Sequence, residues 1–292
     1  MKHVPETGRE VSITAGGYPP AALHVMTWNI RRRIPGQLTH RADRWATRAP
    51  LIREALSQLR PTILGVQEAL PEQTAFLQQV LGPSHRFVGW GRGRHHTGEA
   101  TPVFYDTTQL ELIDWRQQAL SDTPEVPGSV SWGNLFPRAF VAATFRHRAT
   151  GTRFLVFNTH LDPLSRRSRL RSARAIRDHI RTTQLPAVVT GDVNAHQNSA
   201  TFRAFTSGNV LTDTWSVAAG HLTAEWGTFP NYRAPRPGGK RIDWILSTPD
   251  WQVHRAGINA RQYAGAWASD HLSVHALLIP PGETGNDELH DR

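Results

Sequence analysis

Phe154-Leu155-Val156-Phe157-Asn158-Thr159-His160-Leu161-Asp162 runs from bulky apolar residues straight into an amide, a hydroxyl, an imidazole and a carboxylate. A short run of Val, Leu and Phe bounded by turn formers reads as a buried strand, so this strand delivers its polar groups at one end. Ala187-Val188-Val189-Thr190 repeats the pattern and passes into Gly191-Asp192-Val193-Asn194. Outward from these two stretches the same kind of run recurs at Leu23–Ile30, Thr62–Val66, Pro102–Tyr105, Leu110–Trp115, Phe140–Phe145, Ile242–Leu246 and Leu272–Ile279. Helical patterns lie between some of them, at Ala42–Leu59, Glu72–Leu81, Ser165–Thr183 and Ala200–Phe205. The mixture predicts an α/β or α+β fold with substantial sheet. Pro102–Tyr105 and Leu110–Trp115, joined by Asp106-Thr107-Thr108, predict a hairpin and hence some antiparallel pairing.

The polar residues recur at strand ends. Leu23–Ile30 carries Asn29, Thr62–Val66 runs into Gln67-Glu68, Ile242–Leu246 contains Asp243, and Asp270-His271 precedes the last run. Each alone reads as a turn former. Together they describe a sheet sandwich that gathers acids, amides and imidazoles at one rim. The 292 residues contain no cysteine, which excludes disulfides, thiolate metal sites, iron–sulfur clusters and cysteine nucleophiles. A metal here is therefore held by oxygen or imidazole, which suits a hard cation such as Mg²⁺ or Mn²⁺. Phosphate esters are the substrates that most need such an ion.

With 39% hydrophobic residues, 10 Trp and 11 Phe, the chain can bury a sizeable core, and disorder of the whole chain is excluded. Residues 1–20 and 281–292 read as loose polar tails, leaving one folded unit over 21–280 with no internal repeat or linker. The net charge of +9 favours phosphates, nucleic acid or anionic lipid. However, Lys2 and Lys240 are the only lysines among 33 basic residues, and a GC-rich genome yields such arginine usage as readily as function does. The first twenty residues have no apolar core of a signal peptide, and no run approaches the ~18 apolar residues of a membrane span. A cytoplasmic monomer is the expectation.

Six segments occur in a telling order: Thr27-Trp28-Asn29-Ile30, Val66-Gln67-Glu68, Asn158-Thr159-His160-Leu161, Gly191-Asp192-Val193-Asn194-Ala195, Arg241-Ile242-Asp243-Trp244-Ile245 and Ser269-Asp270-His271-Leu272. This order resembles the endonuclease/exonuclease/phosphatase superfamily, over about residues 23 to 279. The resemblance implies a DNase I-like four-layer sandwich, two packed mixed β-sheets flanked by helices, with the site at one rim. It also implies a hydrolase acting on phosphoric esters with Mg²⁺ or Mn²⁺. By the same resemblance, Glu68 is the principal metal ligand with Asn29 and Asp270 near the same ion. Asp192 orients or deprotonates the attacking water, Asn194 holds a phosphate oxygen, and His271 stabilises the transition state with Asp243 behind it. His160 is similar to the second phosphate-contacting histidine of the DNase I, deadenylase and 5-phosphatase branches, which the AP-endonuclease branch lacks. Glu99 sits where such members pair a carboxylate with this histidine, so a Glu99–His160 pair is expected.

For substrate binding, Arg138 matches a position where relatives carry a basic or polar residue. Tyr105 has both a core reading and a site-facing one. The loops over 89–98, 121–137 and 226–240 bring Arg94, Trp132 and Arg233 as further candidates, mixing aromatic and cationic groups that suit a stacked base or a phosphorylated head group. Arg167, Arg171, Arg174 and Arg181 form a stripe that reads as a solvated outer helix face. The loop pattern most resembles a bacterial subgroup without an established substrate. The leading expectation is hydrolysis of a phosphodiester, DNA or RNA slightly favoured. The alternative is a small organophosphate such as a phosphosugar, inositol phosphate or phospholipid head group, and a catalytically dead binding module stands last.

Overall fold

The structure, a computed structural model, describes residues 21–35 and 40–282. The expected arm of 1–20 and nearly all of the expected tail of 281–292 lie outside the described residues. Strands in chain order are β1 (Leu23–Asn29), β2 (Ile63–Gln67), β3 (His85–Val88), β4 (Val103–Asp106), β5 (Leu110–Ala119), β6 (Ala139–His147), β7 (Arg153–His160), β8 (Ala187–Asp192), β9 (Thr212–Asp213), β10 (Gly220–His221), β11 (Asp243–Ser247), β12 (Gln252–Asn259) and β13 (Ser273–Ile279). The helices are α1 (Trp45–Leu59), α2 (Pro71–Leu81), α3 (Arg166–Thr183), α4 (Ala200–Thr206) and the single turn α5 (Thr214–Val217).

These strands form two mixed sheets, ordered β10-β12-β13-β1-β2-β4-β3 and β5-β6-β7-β8-β11-β9. Side chains alternate faces along a strand, so each sheet has an inner and an outer apolar surface. Inner residues of both sheets, among them Val25, Ile63, Phe145, Val156, Val188 and Val274, form the central core. The outer face of the first sheet, with Met26, Leu64 and Val66, is covered by Ile52 and Leu56 of α1 and Leu77 of α2. The outer face of the second, with Phe140, Leu155 and Phe157, is covered by Ile176 and Ile180 of α3 and Phe205 of α4. Fully burying one such side chain contributes roughly 1.5–3 kcal/mol. The four-layer DNase I-like sandwich expected from the sequence is what forms.

The expected hairpin does not. β4 pairs antiparallel with β2 and β3 in the first sheet, whereas β5 is the edge of the second and pairs with β6. Asp106 caps the intervening turn by accepting from Thr108 N (2.9 Å) and Thr108 Oγ1 (2.7 Å). The turn therefore hands the chain from one sheet to the other, which lets Tyr105 and Leu110 both enter the central core. β3 and β12 escaped the sequence reading because His85-Arg86 and His254-Arg255 interrupt their apolar pattern, the latter at a bulge.

A buried polar tie joins the sheets below the rim. Asn158 Oδ1 accepts from Gln67 Nε2 (2.7 Å) and Thr190 Oγ1 (3.1 Å), while Asn158 Nδ2 donates to Val66 O (2.7 Å) and Pro102 O (3.0 Å). Gln67 Nε2 also donates to Thr27 Oγ1 (3.0 Å). Gly65 permits this approach, since a Cβ there would meet Thr190 Oγ1 at 2.2 Å and Asn158 Oδ1 at 2.8 Å. No described helix is long and apolar enough to cross a membrane.

Candidate active site

Register carries the site residues to one rim. In the second sheet β7 and β8 run parallel with His160 opposite Asp192, and β11 runs antiparallel to β8 with Asp243 opposite Asp192. In the first sheet β1 and β2 are parallel, with Asn29 opposite Gln67, so Glu68 lies one residue past the pair. β13 is antiparallel to β1, and its entry, Asp270-His271, comes beside Asn29. Glu68, Asn194 and Arg31 leave their strands with φ of 63°, 51° and 57°. Such left-handed backbone is uncommon outside glycine and concentrates at functional turns.

Asp192 is the hub. Its Oδ2 accepts from Asn29 Nδ2 (3.0 Å), lies 3.6 Å from His160 Nε2 and lies 3.8 Å from His271 Nε2. Its Oδ1 accepts from the backbone N of Asn194 (3.0 Å). Behind His271, Asp243 holds Nδ1 through both oxygens at 2.9 and 3.1 Å, which fixes the ring with Nε2 turned toward Asp192. Burial opposes charge on His271, but the Asp243 and Asp192 carboxylates outweigh it and push the imidazole up to about 10. Burial, then the neighbouring Asp243, raises Asp192 into the range of a base that works near neutral pH. His160 is held well below its ordinary value by burial and then by Arg138 and Arg92, so it is neutral.

Glu68 and Asp270 form the second half of the site. Glu68 Oε1 accepts from Asn29 Nδ2 (3.2 Å), and Oε2 accepts from the Arg32 backbone N (3.0 Å). Burial disfavours the Glu68 anion, but these two bonds and Arg31 more than compensate and hold it ionised. The Arg31 guanidinium lies 3.9 Å from Glu68, 3.6 Å from Asp270 and 3.2 Å from Asp43. Asn29 turns its amide nitrogen, not its carbonyl, to the carboxylates, and its carbonyl accepts from Arg31 N (2.9 Å). Asn29 therefore ties the Glu68 side to Asp192, where the sequence reading placed it at the ion. Glu68 and Asp270 remain as hard oxygen donors, the chemistry that Mg²⁺ and Mn²⁺ take. Asp192, Asp243 and His271 form a compact Asp-Asp-His group within the geometric reach of a metal. Asp243 already holds the His271 ring through Nδ1, so these three side chains are not all free to take a cation.

Several expected partners differ. Glu99 does not pair with His160: its carboxylate takes Arg92 and Arg32, the latter at 3.2 Å, because the strand bridge at Ala100 turns it toward the Gly91-Arg92 segment. Tyr105 stands opposite Ile63, at the end of β2 remote from Gln67, and its ring packs on Phe145 (4.9 Å), so it is core. Trp132 donates to Asp122 (2.8 Å) and stacks under Arg171 (5.0 Å), against the helix layer and apart from the cluster. Arg94 is exposed on a 3-10 turn with His95 and His96. Arg233 is exposed but lines a cleft with Phe229, whose ring lies 4.6 Å from that of His271. Arg138 is buried, with Nε on Asp162 Oδ2 at 3.3 Å. Asn194 donates to Leu161 O (3.0 Å), which leaves one amide hydrogen for a ligand.

Arg31 and Arg48 also form the site without having been marked by any motif in the sequence. Fully buried Arg48 clamps the carbonyls of Ile30, Arg32 and Asp43, fixing the loop that presents Arg31. Only the adjacency of Arg31 to Asn29-Ile30 hinted at it. The Arg167, Arg171, Arg174 and Arg181 stripe faces outward, opposite the buried Ala173, Ile176 and Ile180.

Known proteins share this fold. The Endonuclease/Exonuclease/phosphatase family matches residues 26–271. An endonuclease/exonuclease/phosphatase family protein of Bacteroides thetaiotaomicron superposes with a TM-score of 0.83 at 30% identity, covering 90% of this chain and 99% of that one. A mannosyl-6-phosphatase of the same organism gives 0.82 at 30% identity over 88% and 99% of the two chains. The human Nocturnin catalytic domain, at 18% identity, a TM-score of 0.68 and coverage of 88% and 94%, shares the fold. No curated protein sequence matches the chain. With the matched span reaching from β1 through the Asp270-His271 entry to β13, the chain belongs to the endonuclease/exonuclease/phosphatase family of phosphoester hydrolases.

Proposed function

We propose that the protein hydrolyses a phosphate ester by in-line attack of water, with a divalent cation held by Glu68 and Asp270. The observation that carries this reading is Asp192 Oδ2, which accepts from the Asn29 amide at 3.0 Å and has the His160 and His271 Nε2 atoms at 3.6 and 3.8 Å. A divalent cation bound there supplies neutralisation of charge on the phosphoryl group and leaving oxygen. Asp192, its pKa raised, takes the proton of the attacking water. His271, protonated and fixed by Asp243, donates Nε2–H to a phosphoryl oxygen as charge builds. Neutral His160 and the free amide hydrogen of Asn194 orient the same group.

A small organophosphate is better supported as substrate than nucleic acid. The arginine stripe on α3 that would track a polynucleotide faces solvent, opposite the buried Ala173, Ile176 and Ile180. An open cleft lined by Phe229, Arg233 and Lys240 reaches His271 through the Phe229 ring (4.6 Å) and has a volume of about 490 Å³, within the roughly 300–1,000 Å³ usual for small-ligand sites. The likeness to a mannosyl-6-phosphatase at 30% identity points the same way.

The test is a hydrolysis panel with Mg²⁺ or Mn²⁺, and with chelator, over aryl phosphate, bis-aryl phosphate, hexose phosphate, phosphoinositide, plasmid DNA and single-stranded RNA. Asp192→Asn and His271→Ala serve as controls. Metal-dependent turnover of a small ester that both variants lose is expected. Cleavage confined to polynucleotides would overturn the substrate reading, and wild-type inactivity on every ester would overturn the function.

A further inference from the structure

Three side-chain nitrogens around His160 are buried without a hydrogen-bond partner: Arg92 Nη1, Arg138 Nη1 and His160 Nδ1. Orphaned buried donors are rare and call for a ligand or a function. Each guanidinium is anchored on one side only. Arg138 is held through Nε by Asp162, which itself accepts from the backbone N of Leu164 and Ser165. Arg92 is held through Nη2 by Glu99, whose backbone carbonyl also accepts from Arg92 N. The carboxylates fix the arginines and leave one Nη1 of each unengaged.

Arg138 leads into β6, where Ala139 O accepts from Thr159 Oγ1 (3.0 Å) beside His160, and Arg92 lines a small cavity with Ala139; both cations accordingly disfavour a proton on His160. Asp162 and Glu99 each offset one of these charges, but the two unengaged Nη1 donors stay desolvated and unsatisfied until a further anionic acceptor joins them. His160 Nε2 lies 3.6 Å from the Asp192 hub, so that anion belongs to the reacting group and not to a remote surface.

Resting on the phosphoesterase reading, we propose that Arg92 and Arg138 seat the third non-bridging oxygen of a phosphomonoester, making the phosphomonoester dianion the preferred substrate class. A monoester carries close to two negative charges and three non-bridging oxygens at neutral pH. A diester carries one charge, and a carbon-bearing oxygen occupies the third position. Against Arg92 and Arg138 such an arm offers a poor acceptor and leaves both Nη1 groups unsatisfied and desolvated. Glu99, expected to serve His160, instead holds Arg92 in place for this oxygen.

The experiment compares wild type with Arg92→Gln and Arg92→Lys, because Arg138 also secures the Asp162 loop and its replacement risks misfolding. Hydrolysis of aryl phosphate and bis-aryl phosphate is measured with Mn²⁺, and binding of inorganic phosphate is followed by calorimetry without metal. Wild type is expected to favour the monoester. Arg92→Gln is expected to lower the monoester-to-diester ratio of kcat/KM and to weaken phosphate binding, each by about 10- to 100-fold, with partial recovery in Arg92→Lys. Wild-type preference for the diester, an unchanged ratio in Arg92→Gln, or unchanged phosphate affinity overturns the proposal while leaving the phosphoesterase reading intact. Inactivity of the wild type on both esters refutes that reading instead, and phosphate calorimetry then still decides the anion seat.

Discussion

Replacing Asp243 by asparagine isolates the contribution of the charge behind His271. The amide fills the same volume in a fully buried place and can still accept a hydrogen bond from Nδ1–H of a neutral ring. It cannot balance an imidazolium. In the wild type His271 is pushed up to about 10, so at pH 7.5 only roughly three rings in a thousand lack the proton. Without Asp243 the ring falls back to its ordinary value of about 6.5 or lower, and about one in ten remains charged at that pH. Charge occupancy alone thus removes about tenfold of the rate, and loss of a fixed donor facing the phosphoryl group raises the total to roughly 100- to 10,000-fold. Stability should fall by about 1–3 kcal/mol, since hydrogen bonding is kept while the charge pair is lost. The assay is kcat/KM on the preferred ester at pH 7.5 with saturating Mn²⁺, beside a thermal melt that confirms the variant is folded. A folded Asp243→Asn protein within about threefold of wild type would refute the role given to this pair.

Other consequences concern the scaffold. His24 and His275 stack inside the first sheet with ring nitrogens 3.0 Å apart. Burial lowers His24 to about 4 and His275 well below its ordinary value, so the unfolded chain binds protons below about 6.5 that the folded chain refuses. Stability is then complete above pH 6.5 and falls as pH drops from 6.5 toward 4, with ~2 kcal/mol lost through His24 alone at pH 5. Urea unfolding of wild type and of His24→Asn at pH 7.5 and pH 5 measures this, since the raised His271 and Asp192 act in the opposite sense in both proteins. A wild type that loses no more than the variant between the two pH values would contradict it. Gly65→Ala drives a methyl into Thr190 and Asn158 and should destabilise by about 1–3 kcal/mol or more. A wild-type urea midpoint would mean that the sheets have room to spare.

Much of the sandwich could be read from the chain because its strands are continuous apolar runs with sharp polar ends. Leu23–Asn29, Arg153–His160 and Ala187–Asp192 emerge within a residue or two of where the pattern places them. α3 was equally plain, with Ser165 accepting from Ser168 N at its start. Gln252–Asn259 was not, since its polar residues mask a strand that only pairing with β13 stabilises. Within the site, Asp192, Asp243 and His271 come together as the strand-end positions suggested. Glu99 and Tyr105 did not follow, because nothing local reveals which arginine reaches a loop carboxylate or which end of a strand faces the rim.

By itself, the sequence determined the order of strands and helices, the exclusion of thiolate chemistry and the delivery of oxygen and imidazole groups at strand ends, all properties of residues close together in the chain. Which sheet Val103–Asp106 and Leu110–Ala119 join, how Gln67 meets Asn158 across the core, and how Arg92 comes near the Arg138-Ala139 start of β6, beside the strand that carries His160, were decided only by the tertiary structure. Those outcomes depend on register and packing between segments up to about a hundred positions apart, which no local pattern encodes.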